Sequence, residues 1–137
     1  MTINVKWISA ALVTVSFLFY SFVGKDTPTE GLTIGDKAPA FKICGEKQLI
    51  DLKDLKGKYV LLSFWASYDA SSRKQNASLG HATSKMNNIE MVSVSFDEYK
   101  SIFHETIKKD RITTTNCFVE LEGENSELYQ TYRLHRS

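Results

Sequence analysis

Two residues three apart, Asp69 and Ser72, stand where a sheet strand gives way to a helix. A helix start stabilises negative charge through its unpaired N–H groups and dipole. Asp69 suits that place as an N-cap. Neither side chain can form a disulfide, which requires a thiolate to attack and a second thiol to resolve. Ser72 has no neighbouring histidine in the sequence to activate it for acyl transfer. The only thiols are Cys44 and Cys117, 73 positions apart. That spacing suits neither a zinc site nor a C-x-x-C pair, and two cysteines cannot build a disulfide framework. Both are expected to be buried or half-buried inert thiols; whether they pair with each other is left open. His81, His104 and His135 are scattered, so no metal and no cofactor is expected.

The elements that must position these residues follow from periodicity. Residues 59–66 (YVLLSFWA) form the strongest strand, apolar enough to predict burial on both faces. A helix is expected over 69–86, capped by Asp69. Residues 89–96 alternate and predict a strand. Asp97-Glu98 opens a helix over 99–109, residues 112–121 are extended, and 126–134 close with a helix. Ahead of these, 41–44 is weakly strand-like, and 49–55 reads as a strand end followed by a helical turn. Strand–helix alternation at these lengths predicts an α/β fold built on βαβ units.

The rest of the chain bounds its setting. It has 137 residues, 42% hydrophobic and 24% charged, with a net charge of +1. That composition excludes a disordered tail and a strongly basic nucleic-acid binder. Residues 7–24 (WISAALVTVSFLFYSFVG) carry no charge. As a helix they would span about 27 Å, close to the hydrocarbon core of a membrane. A signal peptide and an uncleaved anchor both fit. The exit Ser21-Phe22-Val23-Gly24 lacks the small residues of a cleavage site, which favours the anchor. The domain plan is therefore a signal-anchor or signal peptide over 1–24, a linker over 25–34, and a folded domain over 35–137. The membrane is an expected partner through 7–24, with the folded part in the periplasm or cell exterior. Asn76-Ala77-Ser78 matches a glycosylation sequon, a match common by chance.

Several motifs, in order, resemble one family. Residues 35–41 (GDKAPAF) resemble the G-D-x-A-P-x-F opening of redoxins. Residues 52–62 (LKDLKGKYVLL) resemble their L-x-D-L-K-G-K-x-V-L-L run, and 64–67 their F-W-A-S. Arg73, Lys74, Asn76 and Leu79 resemble R-K-x-N-x-x-L on the next helix, and Tyr129 and Tyr132 a later L-Y-x-x-Y segment. The set is similar to the membrane-anchored, TlpA-like thiol–disulfide oxidoreductases of the redoxin (AhpC/TSA) superfamily. The resemblance implies a thioredoxin-like mixed sheet. It also implies a departure: where the family carries W-C-x-x-C, this chain reads Tyr68-Asp69-Ala70-Ser71-Ser72. The family also continues into a cis-proline loop and a ββα unit, just beyond the point reached by Ser137.

The functional expectation is a domain with a degenerate dithiol motif and no redox turnover. Its former active-site groove, at Trp65, Tyr68, Asp69, Ser71 and Ser72, would hold an extended peptide or protein partner. Two other readings stand beside it. One is a redox protein working through Cys44 or Cys117 with a partner thiol. The other is a truncated copy without independent function.

Overall fold

The computed structural model describes residues 28–46 and 48–135. The apolar stretch over 7–24, and with it the expected anchor, lies outside the described residues. Among those described, no helix is long and apolar enough to cross a membrane. The chain divides after Lys37.

In the first part, residues 28–37 form a hydrogen-bonded loop. Lys37 N–H donates to Thr29 O, Gly31 N–H donates to Lys37 O, and Thr33 N–H donates to the Asp36 carboxylate, each at 3.0 Å. Gly35 takes a φ of 98°, a left-handed conformation that glycine adopts without strain.

The second part, residues 38–137, carries the α/β domain. An antiparallel hairpin pairs β1 (Lys42–Cys44) with β2 (Leu49–Asp51). A 3₁₀ turn over Leu52–Leu55 follows. Then come β3 (Tyr59–Trp65), α1 (Ala70–Thr83), β4 (Ile89–Ser95), α2 (Lys100–Asp110), β5 (Asn116–Val119) and a short α3 (Glu127–Thr131). The main sheet is parallel, in the order β3-β4-β5.

Alternation along the strands sorts the two faces of this sheet. Val92 and Val94 of β4 and Phe118 of β5 join Phe41, Ile43, Ile50 and Leu128 in one buried cluster. That face therefore carries the hairpin and α3. Phe64 and Phe96 pack there too, in ring contact with Tyr132 and Tyr129 at 5.6 and 5.3 Å. The opposite face carries α1 and α2, with Trp65 against Phe103 at 6.1 Å.

Several expectations change. Strand β3 is not buried on both faces: Tyr59 is exposed and residues 60–64 are half-buried. Among the described residues β3 pairs only with β4, so its second edge lacks the neighbour that burial on both faces would need. Helix α1 ends at Thr83, three residues before the expected stop, where the Ser84 N–H donates to Gly80 O at 3.1 Å. Asp97 does not open a helix. Its side chain is buried and Tyr99 is the residue before α2. The last helix is only one turn and a half, because Arg133 takes a left-handed φ of 48°.

Candidate functional site

The loop from β3 to α1 is built from the sheet outward. Trp65 ends β3, 3% exposed, and its indole N–H donates to Ser93 Oγ at 2.9 Å. Ala66 and Ser67 are buried behind it. The chain then turns, with Asp69 N–H donating to Ala66 O at 3.1 Å. Tyr68, Asp69 and Ser71 are exposed, and Ser72 is half-buried.

Asp69 has extended backbone angles (φ −94°, ψ 103°), and its carboxylate accepts from Ser71 N–H at 2.9 Å. This is an N-cap. The Ser72 hydroxyl stands close by and, with the Ser71 N–H, holds the Asp69 carboxyl below the usual carboxylate range. The same hydroxyl donates to Asp69 O at 3.1 Å and accepts from Ala66 N–H at 3.4 Å. Both residues are thus spent on main-chain partners at the helix start.

Two charged groups fix this loop from behind. Asp97, 4% exposed, accepts from Ser67 N–H at 2.8 Å, from Ser67 Oγ at 2.6 Å, and from Ser95 Oγ. Arg73 reaches Ser67 O at 3.4 Å and clasps Asp110 with two bonds, at 2.7 and 2.6 Å. The bidentate bond raises the Arg73 pKa and lowers that of Asp110. Local patterning marks Arg73 only as a surface helix residue; its partner lies 37 positions away. Asp97 is similarly hidden, because an aspartate after a strand reads as a turn or cap.

Beneath α1 lies a buried polar network. Asn76, fully buried, accepts from Ser63 Oγ at 3.1 Å and Ser93 Oγ at 2.8 Å. Its burial closes the sequon to glycan attachment in the folded domain. Of the histidines, His81 and His135 are exposed, and His104 lies 3.3 Å from Glu46. Among the described residues, no three histidine, cysteine or acidic side chains gather as a metal site.

One of the two cysteines, Cys44, departs from expectation. Both are free; Cys117 is half-buried, but Cys44 is exposed at the end of β1. They line one cavity of about 380 Å³, together with Lys100, Phe103 and His104 of α2. Burial pushes the Cys117 thiol up to about 11. A second cavity of about 480 Å³ lies between the hairpin and α3, lined by Lys42, Asp51, Glu120 and Glu127 among others. Tyr68, Asp69, Ser71 and Ser72 line neither.

A thioredoxin-like family profile matches residues 57–136, more than half of the chain. The chain belongs to the thioredoxin-like family. The match runs from the turn before β3 to beyond α3, so it takes in the whole parallel sheet and the Asp69 loop. Solved thioredoxin-like structures agree. A thioredoxin-like protein from Parabacteroides distasonis is 41% identical, with a TM-score of 0.67 over 79% of this chain and 77% of that one. A thiol-disulfide oxidoreductase from Bacteroides fragilis is 28% identical, with a TM-score of 0.62 over 72% and 76%. The thioredoxin domain of a thiol-disulfide oxidoreductase from Bacteroides vulgatus shares the fold at 24% identity, with a TM-score of 0.65 over 77% of each chain. A search of curated proteins gave no match.

Proposed function

We propose that this chain is a thioredoxin-like module of the thiol–disulfide oxidoreductase group, facing the periplasm, that binds a partner at the start of α1 and has no dithiol turnover there. One observation carries the reading. The carboxylate of Asp69 occupies the start of α1, bonded to Ser71 N–H, in the position where the resembled motif has its attacking sulfur. A carboxylate there is held as an anion but has no bond to give to a disulfide. Ser72, in the position of the resolving sulfur, is bonded to main chain. The fold is kept while the dithiol is gone. Tyr68, Asp69 and Ser71 present an exposed aromatic, a charge and a hydroxyl beside a rigid loop. That surface suits an extended peptide, whose backbone supplies the matching polar groups. The charge-free stretch at 7–24 supports placement at a membrane, with the domain outside the cytoplasm.

The test is insulin reduction by the full chain with dithiothreitol. The expected rate is that of buffer; clear turnover overturns the reading. The double variant Asp69→Cys with Ser72→Cys should gain turnover, because the helix start, the Asp97 clamp and the Arg73 strut remain in place. Binding of a fluorescent extended peptide, followed by anisotropy, should weaken several-fold in Tyr68→Ala.

A further inference from the structure

The cavity beside β5 gathers reactive and charged groups that the reading above leaves unused. Three elements build it. Cys44, Gly45 and Glu46 come from the end of β1, Lys100 and His104 from the exposed side of α2, and Thr115 and Cys117 from the start of β5. Gln48 pins the hairpin to β5, its amide donating to Thr115 O at 3.2 Å and Asn116 Oδ1 at 3.0 Å. Gly45 sits so close to the Phe118 ring that a side-chain carbon there would come within 2.9 Å of it. The hairpin end is therefore held against the sheet edge, and the cavity persists between it and α2.

The two thiols are unequal. Cys44 is exposed at the cavity. Cys117 is turned inward, with Sγ 3.6 Å from Ser93 Oγ in the network beneath α1. Its high pKa keeps it a thiol at neutral pH, and a thiol does not resolve a mixed disulfide. Lys100 and His104 line the same cavity as Cys44, and both lie beside the Glu46 carboxylate, at 3.9 and 3.3 Å. Glu46 is exposed, so an incoming carboxylate can take its place beside the Lys100 ammonium and the His104 ring.

We infer that this cavity is a thiolation site: Cys44 takes up one half of a small carboxylate-bearing disulfide, whose carboxylate rests on Lys100 and His104. The Cys44 thiolate, its proton given to water, attacks one sulfur of the disulfide. The old S–S bond breaks, a new bond joins Cys44 to the bound half, and the departing thiolate takes up a proton from solvent. Cys44 is oxidised and the departing half is reduced. With the Cys117 sulfur held at Ser93, no second thiol of the chain resolves the adduct, and it persists while the disulfide is in excess over the released thiol. The site involves none of the residues at the start of α1, so it stands or falls separately from the peptide-binding reading.

The full chain is incubated with oxidised glutathione, hydroxyethyl disulfide or cystamine (anionic, neutral and cationic probes), quenched, and mapped by peptide mass spectrometry. One adduct is expected, on Cys44, forming fastest with glutathione and slowest with cystamine. Lys100→Gln and His104→Gln should each slow the glutathione reaction several-fold while leaving hydroxyethyl disulfide unchanged. Glu46→Gln should speed it. Cys117→Ser should keep the adduct, and Cys44→Ser should lose it. Equal rates for all three probes, labelling confined to Cys117, no labelling, or conversion to an internal Cys44–Cys117 disulfide would each overturn the inference.

Discussion

At the residue scale, the molecule turns on what its carboxylates hold. Asp97 is buried with three donors aimed at it, so Asp97→Ala would strand the Ser67 N–H and two hydroxyls. Buried groups that lose a charged partner cost about 1–3 kcal/mol, so a loss of about 2–4 kcal/mol in urea denaturation is expected. Asp69→Ala should lower the urea midpoint without changing the slope, since it removes a cap and not buried surface. The Asp69 pKa is depressed in the folded state, so its contribution is present above the ordinary carboxylate range. It fades as pH falls through the depressed value. Titrating stability from neutral pH downward should therefore bring wild type and Asp69→Ala together at the acid end. The identity of Asp69 as a cap was legible in the sequence, because capping is local. Asp97 was not legible, because what decides its role is the arrival of Ser67 from a different loop, 30 positions away.

At the element scale, Arg73 of α1 and Asp110 of α2 tie the two helices on one face of the sheet. The pair is half-buried, and bidentate charge-assisted bonds exceed ordinary surface pairs, so Arg73→Ala is expected to cost about 1–2 kcal/mol. Asp110 is held low by Arg73, so this strut also holds above the carboxylate range and is lost on acidification. Arg73→Ala should flatten that part of the stability–pH profile, and thermal melts at several pH values would show it. Element types came from periodicity with few errors, since strand and helix patterns are local. The ends of α1 and α3 shifted inward because backbone turns, not side-chain patterns, set them. The burial expected for β3 failed for a different reason. An apolar run reports capacity for burial; the neighbours that fulfil it are set by topology.

At the scale of the whole molecule, one small cluster supports both layers. Phe118, 2% exposed, sits where the hairpin, the sheet and α3 meet. Phe118→Ala should cost about 3–5 kcal/mol. A domain of about 100 residues has only about 5–15 kcal/mol in total, so the variant should be partly unfolded at 37 °C by far-UV circular dichroism. Its loss would also remove the ring that lines the Cys44 cavity and backs Gly45, so labelling should lose its preference for glutathione and spread to Cys117 as the variant unfolds. The βαβ plan was readable without any tertiary information. The cavity was not, because Cys44, His104 and Cys117 are far apart in the chain and come together only when the hairpin folds over the edge of β5.

The polar network under α1 has a consequence for how the strands choose one another. Ser63 and Ser93 are direct partners across β3 and β4, and Asn76 bonds to both hydroxyls from above. A slip of one residue would replace a serine by Leu62 or Phe64 and leave the amide facing hydrocarbon. The network thus acts as a key for strand alignment. Replacing Asn76 with Leu together with alanines at Ser63 and Ser93, and Trp65 with Phe so that its indole N–H is not stranded, should preserve much of the unfolding free energy. The cost would fall on uniqueness: broadened amide resonances in β3 and β4, from chains that hold the sheet in more than one alignment.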